Sequence, residues 1–332
     1  MATSQFTIYQ STDIGSPGYC NGITGSLLAV LDACLVNGYG SKPSAGWSKP
    51  FANSGSVIGC YKQGSGSKFT LFINDNGPNV TAVGKEAWAT GWETLISSSV
   101  PCGTGSGQFP LPSQVLTTGH VVIRKSNTAD TILRPWIIYA DASTFHLFIF
   151  TGDAPNSVAA YSYFHFGDIY SLAGSSDIWR CLIVGRNTEN YSLQLNEDVI
   201  NAQANTVLTG HYMARTFGGS GQGSINVGKI ADVSKSNVGG AYQIGYGGVM
   251  AGPNPMDNQF YFSPIWIVEN SAYLRGRLRG MYSGCHALGT FADGQYLSGS
   301  NDFAGKIFRI VKPGYTNGYF TMETSNTIET ND

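Results

Sequence analysis

Hydrophobic residues recur along the chain with two different periods. Between Ile23 and Leu35 they return every three or four residues, Asn21 stands where an N-cap is favoured, and Gly38 follows the last turn. This spacing predicts one helix over residues 21–37. The segment carries a single charged residue, so the helix should be packed against the rest of the protein on most sides.

Outside this helix the apolar positions alternate or form short runs, which is typical of strands. Residues 135–140 and 144–150 are near-continuous aromatic and β-branched runs on either side of a turn at residues 141–143. They predict a hairpin that is buried on both faces. Shorter strands are predicted within residues 5–10, 56–63, 68–74, 79–84, 179–184, 259–269, 306–311 and 319–324. The pattern therefore predicts a mainly β fold of antiparallel, sandwich-like or barrel-like sheets with one N-terminal α-helix.

Proline and glycine interrupt this pattern at a few places. Residues 100–112 hold three prolines and a glycine-rich run, which indicates a long loop or a linker. We place a domain boundary there. Residues 1–105 would form a region of helix and β-meander and residues 106–332 a β-rich main domain, although a single domain fits the pattern as well. The glycine-rich segments 218–223 and 239–248 are the expected places for contacts between subunits.

Composition agrees with a β fold and indicates a surface that is poor in charge. Charged residues make up 12% of the chain, against roughly 25% in typical domains, and 43 of the 332 residues are glycine. Few charges with many glycines and aromatics are typical of strands joined by tight turns. They also suit a surface that neighbouring subunits cover, because interface cores are poor in charge and rich in aromatics. A protein that is simply weakly charged fits equally well.

The charge distribution gives no indication of a nucleic-acid or membrane partner. The formal net charge is −2, and no apolar run approaches the ~18 residues that a transmembrane helix needs. The first residues lack a signal-peptide pattern, so we expect the chain to fold in the cytoplasm. Arg275, Arg277 and Arg279 alternate along the chain and would share one face of a strand. We interpret this basic stripe as a solvated or interface face, with phosphate contact as the alternative.

No arrangement of cysteine, histidine or lysine predicts a metal or a cofactor. The six cysteines are widely spaced without a C-x-x-C pair, so buried free thiols are expected. The five histidines are scattered and lack the spacing of metal ligands. Residues 223–229 have the spacing of a phosphate-binding loop. However, Ile230 stands where Ser or Thr would hold Mg²⁺, and no clear helix follows.

Carboxylates are the strongest enzymatic feature of the sequence, because glycoside cleavage requires a pair of them. The candidates are Glu86, Glu93, Asp168 and Asp177. Trp88 and Trp92 lie near the two glutamates and are candidates for an aromatic platform that binds a sugar or a partner; a packed corner is the simpler interpretation. Aspartates in turns usually accept hydrogen bonds from their own backbone, so a structural role is the default for them.

Three segments stand out as a set. They are residues 31–43, LDACLVNGYGSKP, with Trp47 after them; the strand pair RPWIIYAD and TFHL within residues 134–147; and residues 275–282, RGRLRGMY. Together they resemble a family of uncharacterised proteins encoded by tailed phages and prophages, usually among virion genes. The resemblance spans most of the chain and carries no known active site. It implies a particle component, such as a capsid-decorating, neck or tail accessory protein.

These observations predict a non-enzymatic structural component of a tailed-phage virion. It would assemble through homo-oligomeric contacts and contacts with other capsid, neck or tail proteins, without cofactor, nucleic acid or membrane. Two alternatives stay open. One is a host-surface or glycan-binding module of a tail or capsid fibre, which Trp88 and Trp92 motivate. The other is a polysaccharide-degrading enzyme that uses the carboxylates named above.

Overall fold

A computed structural model describes residues 6–18, 20–53, 57–76, 85–115, 118–152, 161–186, 209–221, 225–228, 256, 259–269, 273–284, 291–299, 303–311 and 320–324. Helix α1 spans Ser26–Leu31, a π-helix continues it over Asp32–Asn37, and a 3₁₀ turn spans Gly174–Ser176. The strands are β1 (Thr7–Gln10), β2 (Ser48–Asn53), β3 (Ile58–Lys62), β4 (Thr70–Asn74), β5 (Glu86–Ser97), β6 (Thr104–Phe109), β7 (Val121–Arg124), β8 (Trp136–Ala140), β9 (Thr144–Phe150), β10 (Tyr161–Asp168), β11 (Tyr170–Ser171), β12 (Cys181–Arg186), β13 (Thr209–Met213), β14 (Ile225–Gly228), β15 (Phe262–Glu269), β16 (Tyr273–Gly284), β17 (Tyr296–Ser298), β18 (Ile307–Val311) and β19 (Phe320–Glu323).

The described residues form two antiparallel sheets. The first has the order β1–β8–β9–β10–β12–β7–β5–β4–β3–β2, with β13 paired to β12 and β6 paired to β5. The second has the order β14–β15–β16–β19–β18–β17, with β11 paired to β16. All strand pairings among the described residues are antiparallel. The prediction of a mainly β fold of antiparallel, sandwich-like or barrel-like sheets with one N-terminal α-helix is confirmed.

The hairpin of β8 and β9 separates two apolar cores, as its sequence predicts. On one face, Ile138 and Leu147 join helix α1 in the larger core. On the other face, Tyr139 and Phe148 pack with residues of the second sheet such as Ile267. Because successive side chains of a strand point to opposite faces, a strand between two cores needs apolar residues at every position. Each other predicted strand that falls on described residues overlaps an observed one.

Helix α1 begins later than the hydrophobic period predicts. The Asn21 side chain accepts a hydrogen bond from the backbone N–H of Ile23 at 3.0 Å and therefore closes a turn. Gly25, with a φ of 88°, precedes Ser26, the first helical residue. The predicted start at Asn21 is thus wrong, because the side chain of asparagine bonds its neighbouring backbone in turns as well as at N-caps.

The second half of the predicted helix is a π-helix. The N–H of Gly38 donates to the carbonyl five residues before it at 2.8 Å, and Gly38 ends the helix as predicted. The carbonyl of Cys34 accepts from the N–H of Ala45 at 3.0 Å. The carbonyl of Leu35 accepts from the N–H of Trp47, also at 3.0 Å. The returning chain therefore binds carbonyl groups at the end of the helix.

A buried ion pair holds the start of helix α1 against the first sheet. Asp75 Oδ2 accepts from the N–H of Leu27 at 3.0 Å, so a carboxylate occupies the positive end of the helix. Lys125 Nζ lies 2.5 Å from Asp75 Oδ1 and donates to the carbonyl of Ile23 at 2.8 Å. Both charged side chains are completely buried. Burial raises the pKa of Asp75 despite the lysine beside it.

Replacing Lys125 by methionine should destabilise the protein, because the Asp75 carboxylate then stays buried without a cation. We expect the free energy of unfolding, measured by urea denaturation, to fall by about 3–5 kcal/mol. Lys49→Met is the matched control, since Lys49 pairs with Asp32 at 2.7 Å where both side chains are partly exposed. Such a pair contributes about 0–1 kcal/mol. Equal losses in the two variants would contradict a structural role for the buried pair.

The first sheet runs across the predicted domain boundary at residues 105/106. Strand β6 crosses it and pairs with β5, while β1 pairs with β8 on its far side. The loop predicted over residues 100–112 therefore contains a strand, which corrects the prediction. The reason lies in the glycines: a Cβ at Gly105 would be 2.0 Å from the carbonyl oxygen of Thr94. Glycine here permits close backbone approach within a sheet and does not mark a linker.

Some predicted features fall partly or wholly outside the described residues. These are the strand within residues 79–84, the glycine-rich segment 239–248 and Lys229. Residues Ile225–Gly228 of the phosphate-loop pattern form β14 and pair with β15. Within the described ranges no helix is long and apolar enough to cross a membrane.

Three histidines that are scattered in the sequence are buried in the first sheet, and two of them, His146 and His165, contact each other. His146, His165 and His211 are fully buried. His146 Nδ1 lies 2.8 Å from the Tyr163 hydroxyl, and its Nε2 lies 2.9 Å from the carbonyl oxygen of Arg279. Burial lowers the pKa of His146 to about 3 and the pKa of His165 well below its usual range. Both side chains are therefore neutral at pH 7.

Mild acid should destabilise the protein through these histidines. An unfolded chain protonates a histidine near pH 6.5, whereas folded His146 and His165 stay neutral to much lower pH. The unfolded state therefore binds more protons as the pH falls, and stability that is complete above about pH 6.5 is lost below it. We expect the free energy of unfolding to fall by about 2 kcal/mol per histidine between pH 7 and pH 5, measured by urea denaturation at both pH values.

The variant His165→Gln isolates this effect. Because glutamine does not titrate, the difference in stability between pH 7 and pH 5 should shrink by about 2 kcal/mol. The raised pKa of Asp75 acts in the opposite direction in both proteins and cancels in the comparison. An unchanged pH dependence in the variant would show that His165 does not contribute.

Candidate functional site

The two tryptophans predicted to form a glycan or interface platform are buried. Trp88 and Trp92 on β5 are 7% and 5% exposed. The Trp88 ring stacks on His120 with ring centroids 3.9 Å apart, and burial lowers the pKa of this histidine to about 3. Trp92 Nε1 donates to the carbonyl of Cys102 at 2.9 Å. The platform prediction is therefore wrong: Cys102, in the segment expected to be a linker, packs against Trp88 and accepts the hydrogen bond of Trp92.

Each carboxylate considered for catalysis is paired with an arginine. The pairs are Glu86 with Arg124 (3.5 Å), Glu93 with Arg215 (2.5 Å), Asp168 with Arg180 (2.9 Å) and Asp177 with Arg275 (2.7 Å). A carboxylate that accepts hydrogen bonds from a guanidinium is held in a fixed position. The pairing gives each of these four side chains a structural role in the fold.

The basic stripe lies on β16, but two of its arginines are not solvated. Arg275 and Arg279 are 4% and 6% exposed, whereas Arg277 is half-buried with its guanidinium 5.4 Å from the ring of Tyr170. The prediction of a solvated face is therefore wrong for Arg275 and Arg279. Alternation along the strand indicated a shared face but could not show that carboxylates from distant segments enclose two of the charges.

Arg279 connects the second sheet to the hairpin turn of the first. Its guanidinium donates to Asp141 Oδ2 at 2.6 Å and to the hydroxyl groups of Ser143 and Thr144. Asp141 Oδ1 also accepts from the backbone N–H of Ser143 at 2.8 Å and of Thr144 at 2.9 Å. The turn aspartate therefore bonds its own backbone, as predicted, and holds a charge of the other sheet at the same time.

A second group of buried charges, here called the Arg275 cluster, consists of Arg275, Asp177 and Glu269. Arg275 binds Asp177 through two parallel hydrogen bonds of 2.7 Å, and it also donates to the Glu269 carboxylate. Glu269 in turn accepts from the backbone N–H of Phe217 at 3.0 Å. With one positive and two negative side chains, the cluster has a net charge of −1.

A surface cavity of about 510 Å³, here called the apolar pocket, lies over the Arg275 cluster. Glu269 and Arg275 are its charged lining residues among those described. Its apolar walls are formed by Leu172, Ala173, Phe217, Tyr273 and Leu274. They come from three separate parts of the chain, after β11, after β13 and at the start of β16. Leu172, Phe217 and Tyr273 are each more than half exposed to solvent.

Sequence reasoning missed this pocket. Leu172, Phe217 and Tyr273 are single apolar residues that share no motif, and only the sheet topology brings them together. The one signal in the sequence is the glycine-rich segment 218–223, which we expected to contact subunits, since Gly218 lines the pocket.

No protein-family model matches the chain, and no curated protein is significantly similar to it in sequence. Among the described residues, no group of three or more His, Cys, Asp or Glu side chains could hold a metal ion. The described cysteines are free and buried, which confirms the expectation for Cys20, Cys34, Cys60, Cys102 and Cys181. The sixth, Cys285, lies outside the described residues.

Replacing Arg275 by glutamine should destabilise the fold beneath the pocket, because Asp177 and Glu269 then stay buried without a cation. We expect the free energy of unfolding in urea to fall by about 3–5 kcal/mol. The matched control is Arg277→Gln on the same strand, where a half-buried guanidinium leaves the Tyr170 ring at a cost of about 0.5–1 kcal/mol. A loss at Arg275 no larger than that at Arg277 would refute the structural role of the cluster.

Proposed function

We propose that this chain is a non-enzymatic structural component of a tailed-phage particle. It acts through contacts with copies of itself and with other capsid, neck or tail proteins. The phage-particle part of the proposal rests on the resemblance of residues 31–43, 134–147 and 275–282 to virion-associated proteins. The observation that carries the proposed mode of action is the exposed apolar surface around the apolar pocket.

The exposed apolar residues at the pocket support assembly. Single exposed apolar side chains are common on soluble proteins, whereas a contiguous patch marks a contact site. Leu172, Phe217 and Tyr273 border one opening and are 56%, 52% and 70% exposed. In contact with another protein surface, these side chains would leave water and contribute hydrophobic free energy.

The distribution of charge supports the same proposal. The chain has few charged residues, and several of them are buried in ion pairs, such as Asp75 with Lys125 and Asp141 with Arg279. These charges are not available to the surface, which is therefore poorer in charge than the composition alone suggests. Interface cores have this character.

The two alternatives have less support. Burial of Trp88 and Trp92 removes the residues that motivated glycan binding. The pairing of the four candidate carboxylates with arginines does not favour hydrolysis of a polysaccharide. Release of reducing ends from a host polysaccharide by the purified protein would nevertheless establish the enzymatic alternative.

The purified protein should self-associate, because contact between copies removes the exposed apolar patch from water. Size-exclusion chromatography with light scattering, over a wide range of concentration, should give a mass above that of one chain. Mass spectrometry of particles from the phage or prophage that encodes the chain should detect it as a constituent. A strict monomer together with particles that lack the chain would overturn the proposal.

A further inference from the structure

Every hydrogen-bond donor of the Arg275 guanidinium, the positive group of the apolar pocket, already has an acceptor. A guanidinium has five N–H donors. In Arg275, Asp177 accepts from two of them, Glu269 from a third, and the carbonyl groups of Arg215 and Trp179 from the other two, at 3.0 and 3.3 Å. An anionic ligand that entered the pocket would therefore have to displace a hydrogen bond that already exists.

Among the described residues, the donors bound to the Glu269 carboxylate are fewer than its acceptor positions. A carboxylate offers about four lone-pair positions. Glu269 accepts from the guanidinium of Arg275 and from the backbone N–H of Phe217. Its carboxylate therefore retains acceptor capacity where it lines the cavity, and the net charge of −1 on the Arg275 cluster attracts a cation.

The aromatic residues of the pocket also suit a cation. The face of an aromatic ring attracts a positive group within about 6 Å of its centroid. The guanidinium carbon of Arg275 already lies 5.8 Å from the centroid of the Phe217 ring. Tyr273 is 70% exposed and presents a second ring at the same opening.

We infer that the apolar pocket binds a segment of a partner protein in which apolar residues flank one arginine or lysine. The cationic group lies against Glu269 and the rings of Phe217 and Tyr273, and the apolar residues cover Leu172 and Leu274. The inference deepens the proposed assembly function and rests on it for the identification of the partner as a protein chain.

The size and exposure of the site favour a chain segment over a small cation. The cavity of about 510 Å³ has room for more than a single amine, and Leu172 and Tyr273 expose apolar area at its edge. A small cation would leave this area in water. A segment with apolar side chains on both sides of the basic residue would bury it, as the centre of a protein interface does.

The test uses the full-length chain and a fluorescent peptide of sequence Gly-Leu-Phe-Arg-Leu-Gly with blocked ends, followed by fluorescence anisotropy. Replacing its arginine by citrulline keeps the shape and removes the charge, and replacing it by glutamate reverses the charge. We expect the arginine peptide to bind about tenfold more tightly than the citrulline peptide. The glutamate peptide should bind most weakly.

Variants of the chain locate the binding. Leu172→Ser and Tyr273→Ser change exposed residues of the pocket. Each should weaken binding of the arginine peptide by about fivefold. Ile132→Ser is the matched control, because Ile132 is 57% exposed, like Leu172 at 56%, and is not a lining residue of the pocket. Glu269→Gln should remove the preference for arginine over citrulline. If that buried variant does not fold, the exposed variants still decide the test.

The outcomes separate this inference from the proposed function. Absent binding of the arginine peptide, equal binding of all three peptides, or unchanged binding in both Leu172→Ser and Tyr273→Ser would overturn the pocket's assignment while self-association could still be observed. Conversely, peptide binding at the pocket by a chain that stays monomeric and is absent from particles would support the pocket and overturn the particle role.

Discussion

The arrangement of the two sheets depends on the contact between Arg279 and Asp141. The carboxylate of Asp141 shapes the turn between β8 and β9 and holds the guanidinium of β16, and its carbonyl accepts from Trp47 Nε1 at 2.6 Å. The segment after the helix, the central hairpin and the second sheet therefore meet at one aspartate. Because either charge would remain buried if its partner moved away, this contact fixes how the sheets lie against each other.

The same principle explains how a weakly charged chain uses its charges. Lys125 with Asp75 fixes the helix, Arg279 with Asp141 joins the sheets, and the Arg275 cluster supports the end of the second sheet. Each of these contacts joins two elements through a directional ion pair. Apolar packing alone would define the relative position of the two elements less closely. As a consequence, the surface has fewer charges, and the apolar pocket lies directly over one of these buried clusters.

Local sequence was sufficient to predict the elements that are buried on every side. The hairpin of β8 and β9 is apolar at nearly every position because both of its faces are buried, and this is visible without knowing what covers it. The end of the helix at Gly38 was equally visible. The start of the helix could not be predicted from local sequence. The carboxylate that accepts from the N–H of Leu27 belongs to Asp75, which lies far along the chain. Glycines such as Gly105 were misleading, since the same residue serves a linker and a close backbone contact.

The sequence by itself determined the fold class, the central hairpin, the free cysteines and the scarcity of charge. The tertiary structure alone decided which side chains are exposed. It buried Trp88, Trp92, Arg275 and Arg279, which looked available as single residues, and it exposed Leu172, Phe217 and Tyr273 around one opening. The physical reason is that periodicity describes which face of its own strand a side chain occupies. Whether that face meets water, a core or an opposite charge depends on segments that lie far away in the chain.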